Sequence, residues 1–271
     1  MQKITRIQVQ QKRKDRYNIF INSSTGDEKF AFSVDEAVLV EDRLHKGMEL
    51  SETMIEELTR KDITHKAYNL AIRYLSYRMR TEREMEKYLT EKEIDPEHIA
   101  QVMERLIKEK LLDDSLFSEM FLRTRISISN KGPRIIQKEL VEKGVPVSIA
   151  ENTIQQYPFN EQIKKVKLFA EKKLQRGNKS FRIQMQQLKA QLMQKGFTQD
   201  AIQEGLADLE VQKDDNKEWE VLVNQGARLI GKHERKLKGY ELRQKVTEGL
   251  YRKGFSFDLI QQFLDEEEEQ E

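Results

Sequence analysis

The stretch nearest to a catalytic or ligand-binding motif is Gly226-Ala-Arg-Leu-Ile-Gly231-Lys232-His233. Two glycines bracketing four residues and followed by lysine match a phosphate-binding P-loop, whose backbone N–H groups cradle phosphate oxygens. The match fails at the last position. His233 stands where a Ser or Thr hydroxyl must hold magnesium, and no strand precedes Gly226. The surrounding run from Asn224 to Leu237 reads as helix, so nucleotide chemistry is not expected there. His45, His65, His98 and His233 are scattered, with neither HExxH spacing nor a second ligand one helical turn away. The sequence has no Cys, which removes thiolate ligands, disulfides and cysteine nucleophiles. No GxSxG elbow occurs, and the acids fall at expected helix caps or on charge-rich faces. The chain is therefore expected to be non-enzymatic, with no cofactor and no metal.

Charge is more informative. A net charge of +1 excludes a globally basic nucleic-acid binder and directs attention to local patches. Between Gln162 and Lys195 stand Lys164, Lys165, Lys167, Lys172, Lys173, Arg176, Lys179, Arg182, Lys189 and Lys195, against a single acid, Glu171. A solvated helix face normally mixes signs, so this imbalance points to a surface that faces phosphates or acids. Phe169 steps with Val166 and Ala170 as a core face does, which assigns its ring to packing rather than base stacking. Arg123 and Arg125, two apart on one helix, are separated by about 200° and cannot share a face. One of them is expected to meet a partner while the other braces a neighbouring helix. The candidate partner-contact residues are thus Arg123, Arg125, Lys131, Arg134 and Lys138, together with Lys164, Lys165, Lys167, Lys172, Lys173, Arg176, Lys179 and Arg182.

These side chains need a scaffold, and 271 residues suffice for one to three domains. Charged residues make up 35% and apolar ones 37%, a composition suited to many exposed helix faces around narrow cores. The N-terminus lacks an apolar signal core and no stretch of about 18 apolar residues occurs, so a membrane-free, cytoplasmic protein is expected. Residues 1–61 read as a small β/α domain. Ile4, Ile7 and Val9, then Tyr17, Ile19 and Ile21, then Phe30, Phe32 and Val34 mark three short antiparallel strands. Ser33 with Glu36 reads as a capping box opening a helix that Gly47 closes, and Ser51 as the start of another short helix. This sheet is expected to add a partner contact rather than to serve as a structural cap.

From Thr64 onward the chain reads as helix after helix with an internal repeat of about fifty residues. Leu89, Leu140, Leu192 and Leu250 superpose, followed by Lys92, Lys143, Lys195 and Lys253, then Glu93, Gly144, Gly196 and Gly254, then Ile94, Val145, Phe197 and Phe255. Each block is a helix, a left-handed C-terminal turn favouring Gly, an apolar plug and another helix. Glu93 departs from the Gly pattern, so the first turn must be made differently or with strain. The segments expected are a three-helix repeat at 62–114, a second at 115–160, a third at 161–211 and a fourth with an acidic tail at 212–271. Gln212 to Lys217 reads as a loop or joint between units, and Asp265 to Glu271 as a frayed acidic tail. Pro96 and Pro133 suit first helical turns, whereas Pro146 and Pro158 fall in breaks. Thr81 with Glu84 forms a further capping box. The fold expected is mostly α: tandem three-helix repeats in an elongated, curved array, preceded by a small three-stranded β domain.

The most structured stretch runs from Leu112 to Gly144. Asp113 and Asp114 read as N-caps for an apolar face of Leu116, Phe117, Met120, Phe121 and Ile128. Asn130-Lys131-Gly132-Pro133 breaks that helix, and Ile135, Ile136, Leu140 and Val141 give a second face. Here the chain resembles the RecX family, bacterial modulators of the RecA recombinase. Leu112, Asp113, Asp114, Phe117, Arg123 and Arg125 carry one motif of the family, and Lys131, Gly132, Ile136, Glu139, Leu140, Lys143, Gly144 and Val145 a second. Arg80, Thr81, Glu82, Glu84 and Leu89 are similar to its entry motif, and the resemblance covers Lys66 to about Leu264. It looks like the longer class with an N-terminal β extension. The resemblance implies a protein that binds in the groove of the RecA–DNA filament, and a monomer is expected. It implies inhibition of RecA ATPase, recombinase and coprotease activity, hence a role in DNA repair, homologous recombination and the SOS response. Weak contact with single- or double-stranded DNA is a further expectation, and direct nucleic-acid binding without RecA is the alternative.

Overall fold

The computed structural model describes residues 1–22, 27–174, 177–211 and 215–268. Arg176 and the end of the acidic tail therefore lie outside the described residues, as does half of the insert at Gln212–Lys217. The described chain forms two compact units, Met1–Glu119 with Leu140–Ile149, and Met120–Glu139 with Ala150–Glu271.

The first unit opens with β1 (Gln2–Val9), β2 (Arg16–Asn22), β3 (Glu28–Asp35), α1 (Glu36–Glu41) and β4 (Glu49–Leu50). The sheet is antiparallel in the order β3-β2-β1-β4, so it has four strands where three were expected. The fourth is two residues long, too short to leave a period in the sequence. It edges the sheet through Gln2↔Leu50 and Lys3↔Glu49. Ile4, Ile19, Ile21, Phe32 and Val34 line one buried face with Val38, Leu50 and Leu58. Phe30 shares its parity with Phe32 and yet is exposed. The register steps from Ile19↔Phe32 to Phe20↔Phe30, and this bulge turns Phe30 to the outer face, where its ring meets Phe20 edge-on.

The expected capping box at Ser33 is not formed. Ser33 lies in β3 with its hydroxyl on Asn18, and Asp35 caps α1 by accepting from Ala37 N. That helix ends at Glu41, before Gly47, whose positive φ serves the turn into β4. Ser51 does cap a helix, but α2 (Glu52–Leu75) is 24 residues long and runs unbroken past residue 61. Its first half covers the sheet with Leu58, and its second half enters another core with Ala67 and Ala71. The tie between sheet and helix is a buried ion pair. Arg16, 4% exposed, donates from Nη2 to Asp62 Oδ2 at 2.8 Å and from Nη1 to Oδ1 at 3.1 Å. Asp35 N and Lys66 Nζ donate to the same carboxylate. Burial pushes the Asp62 carboxyl up, but the bonds from Arg16 and Lys66 outweigh it, and its pKa is lowered.

The remaining helices are α3 (Glu82–Glu91), α4 (Pro96–Lys108), α5 (Asp114–Ile128), α6 (Pro133–Glu142), α7 (Val147–Ile154), α8 (Phe159–Leu174), α9 (Phe181–Gln194), α10 (Gln199–Val211), α11 (Asp215–His233), α12 (Gly239–Arg252) and α13 (Phe257–Glu268). From α2 onward they fall into four groups of three. Leu89, Leu140, Leu192 and Leu250 are all fully buried. Each turn closes in the same way: Ile94 N, Val145 N, Phe197 N and Phe255 N donate back to the carbonyls of those leucines, while Glu93 N, Gly144 N, Gly196 N and Gly254 N donate three residues back.

Three of these turns receive a neighbour. In the first unit Thr81 Oγ1 donates to Lys143 O at 2.7 Å; in the second, Gly132 N donates to Lys195 O at 2.7 Å and Ser180 N to Lys253 O at 3.0 Å. The start of the middle helix of one group thus seats on the Lys-Gly turn of the next. A Cβ on Gly144 would strike Arg83, one on Gly196 would strike Ile135, and one on Gly254 would strike Ile183. Glu93 adopts φ 59 in the same kind of turn but is exposed. It bears the strain of left-handed backbone, roughly 1–2 kcal/mol, without needing a close approach.

Candidate functional site

The P-loop-like segment lies inside α11, so its N–H groups are spent on helix bonds and cannot cradle phosphate. Gly226 faces the Phe263 ring, which a Cβ there would overlap, so this glycine serves packing. His98 is buried with Nδ1 2.7 Å from Thr64 Oγ1. Among the described residues no three His, Cys, Asp or Glu side chains gather as metal ligands.

The motif region is built around carboxylates that organise cations. Asp113 caps α5 by accepting from Leu116 N, as expected, but Asp114 turns to the start of α3 and accepts from Glu82 N at 3.0 Å. Burial pushes the Asp114 carboxyl up. Burial and the nearby Asp114 do the same to Glu82. Of the apolar face assigned to α5, Phe117 is buried, whereas Leu116, Met120 and Ile128 are exposed; Leu122, unassigned from sequence, is buried with Ile136 and Tyr157. The two α5 arginines divide as their angular separation requires. Arg123 is exposed, and Arg125 Nε donates to Glu139 Oε2 at 2.8 Å. Lys131 Nζ donates to the other oxygen of Glu139. Burial raises the Glu139 pKa, but these two cations outweigh it and the net shift is downward. Arg134 and Lys138 are exposed on α6.

The lysine-rich patch on α8 and α9 divides too. Lys165 is a structural group. Its Nζ donates to Ile126 O and, at 2.8 Å, to Ser129 O, satisfying carbonyls at the end of α5, and burial lowers its pKa. Lys167 pairs with Asp208 at 2.7 Å. Lys173 and Lys195 lie 5.8 and 4.9 Å from the ring centroid of Phe169, which packs on the core as expected. Lys164, Lys172, Lys173 and Arg182 are exposed and make no ion pair among the described residues; Lys179 is half-buried.

Sequence reasoning passed over a second basic cluster at the α2–α3 turn, Tyr74-Leu-Ser-Tyr77-Arg78-Met-Arg80-Thr-Glu-Arg83. Arginines interleaved with tyrosines were its signal, masked by the capping-box reading of the same residues. Arg78 is held by both oxygens of Glu84, at 2.8 and 3.1 Å, and Lys143 joins them. Burial raises the Glu84 pKa, but Arg78 and Lys143 bring it down overall. Arg80 lies over the Tyr74 ring at 3.8 Å, and Tyr74 stacks on Tyr88 at 3.9 Å with the planes 8° apart.

A four-stranded sheet joined by one long helix to three-helix repeats, with exposed cations on their faces, defines a mostly helical protein of modular build. Comparison with known proteins makes the class specific. Residues 2–51 match the regulatory protein RecX N-terminal domain; residues 67–106, 113–154 and 216–264 match the first, second and third three-helix domains of RecX. The chain is 51% identical over 267 residues to regulatory protein RecX of Oceanobacillus iheyensis, covering 98% of each chain. It is 39% identical to that of Halalkalibacterium halodurans, covering 97% of this chain and 99% of the relative. A crystal structure of regulatory protein RecX superposes with a TM-score of 0.66 at 35% identity, covering 74% of this chain and 97% of that one. RecX from Lactobacillus salivarius gives 0.54 at 34%, covering 56% and 99%. The chain belongs to the RecX family of regulatory proteins. Among the described residues no helix is long and apolar enough to cross a membrane.

Proposed function

We propose that this protein binds the RecA–DNA filament and lowers its ATPase, recombinase and coprotease activity, thereby regulating DNA repair, recombination and the SOS response. The observation that carries this reading is the near-full-length likeness to regulatory proteins named RecX. The exposed cations Arg123, Arg134, Lys164, Lys172, Lys173 and Arg182 support it, because a nucleoprotein filament presents phosphates and acids. The partner is RecA on DNA, bound by a cytoplasmic monomer. The test is to titrate the protein into a DNA-stimulated RecA ATPase assay and, separately, onto single-stranded DNA at about 150 mM salt. Inhibition at concentrations far below those that bind free DNA is expected. Equal concentrations for both would overturn the reading in favour of simple competition for DNA.

A further inference from the structure

We propose that the turn between α2 and α3 is a contact site for single-stranded nucleic acid, with Tyr77 receiving a base face and Arg80 a phosphate. Tyr77 is 78% exposed and makes no hydrogen bond or ring contact among the described residues. A large flat ring left this open on a turn has a face free for stacking, which every base can use. Three residues on, the Arg80 guanidinium is pinned flat on Tyr74, itself backed by Tyr88, so its orientation is fixed before any ligand arrives. The five N–H donors of a guanidinium normally pair with carboxylate or phosphate. Those of Arg80 make no hydrogen bond and no ion pair among the described residues, and its Nε is buried without an acceptor. Arg83, exposed and likewise without an ion pair there, lies one helical turn on, with its stem against Gly144. Arg78, by contrast, is neutralised by Glu84.

An acidic peptide would account for the cations but not for the bare ring. A single strand uses both, alternating phosphates with unstacked bases. The proposal rests on the filament reading only in naming the source of the strand, the DNA that RecA coats; the chemistry stands without it.

The test uses the full-length protein, a fluorescent oligothymidine, and the variants Tyr77→Ser and Arg80→Gln, each checked by circular dichroism and melting. Tyr77→Ser, a surface change, is expected to weaken binding about tenfold with the salt slope unaltered. Arg80→Gln is expected to lower the magnitude of that slope by about 0.7, the share of one single-strand phosphate. Arg80→Lys, which keeps the charge, should restore the slope. No oligothymidine binding by the unmodified protein, or unchanged affinity and slope in both variants, overturns the site. So does loss of RecA inhibition in the variants with oligothymidine binding intact, since the turn would then grip the protein partner. Failure of the unmodified protein to inhibit RecA while Tyr77 and Arg80 still govern oligothymidine binding would sink the filament reading and leave this site standing.

Discussion

The junction between the sheet and α2 and the joints between three-helix groups solve one problem by opposite means. At the sheet the bond is between side chains: Arg16 and Asp62 meet in a buried pair that only those two residues can make. At the joints the bond is made to backbone. Lys143 O, Lys195 O and Lys253 O each accept from the start of a helix, and the side chain that matters most is the missing Cβ of the glycine that follows. A backbone joint can be reused wherever a helix ends in a Lys-Gly turn. A buried ion pair fixes one register and is costly to break, because the partner left behind keeps an uncompensated charge.

The comparison predicts an order of effects. Arg16→Met is expected to lose about 3 kcal/mol in urea unfolding, at the low end for a broken buried pair because Lys66 still reaches Asp62. Arg16→Met combined with Asp62→Leu should recover most of that loss. A single substitution costing no more than a joint variant would remove the contrast.

Gly196→Ala comes next, at about 2 kcal/mol, from its positive φ and from overlap with Ile135. Glu93→Gly is expected to stabilise by about 1 kcal/mol, since strain is relieved and no packing is disturbed. If Glu93→Gly were destabilising, the first turn would have a packing role that its exposure contradicts.

A smaller effect concerns acid. The folded-state pKa values of Glu84 and Glu139 lie below the ordinary 4.5. Their contribution is therefore present above that pH and lost as pH falls through the lowered values. Glu82 and Asp114 are shifted upward and act in the opposite sense: the penalty on their ionised forms is relieved as pH falls through their raised values. Glu139→Gln should reduce the stability lost as pH falls below 4.5, measured by urea unfolding at neutral and acid pH. An unaltered pH dependence would mean that Arg125 and Lys131 contribute nothing through Glu139.

These contrasts also explain what the sequence made legible. The helical repeat was readable because buried leucine, left-handed turn and apolar plug are local patterns at fixed spacing. The departure at Glu93 was visible, but its meaning was not, since that depends on whether another helix start arrives at the turn. Arg16 and Asp62 were invisible as a pair for the same reason: they lie far apart along the chain, and neither forms part of a pattern. The Ser33 cap was overridden because Asp35, two residues on, stands where the strand ends. The β4 strand has too few residues to show a period. In the basic patch, sequence could count cations but not find their partners, so Lys165 and Lys167 were grouped with Lys164, Lys172 and Lys173 although they are engaged within the fold.

That division supplies the most direct test of the central claim, that exposed cations on α8 bind a RecA–DNA filament. The triple variant Lys164→Ala, Lys172→Ala, Lys173→Ala leaves every described ion pair intact, and its circular dichroism should match that of the unmodified protein. Filament affinity should be measured for both across a salt series. The account predicts weaker binding by the variant, with the salt slope reduced by about 0.7 to 0.9 for each phosphate that is no longer neutralised. Equal affinity at every salt concentration would contradict it and leave the patch a merely solvated face.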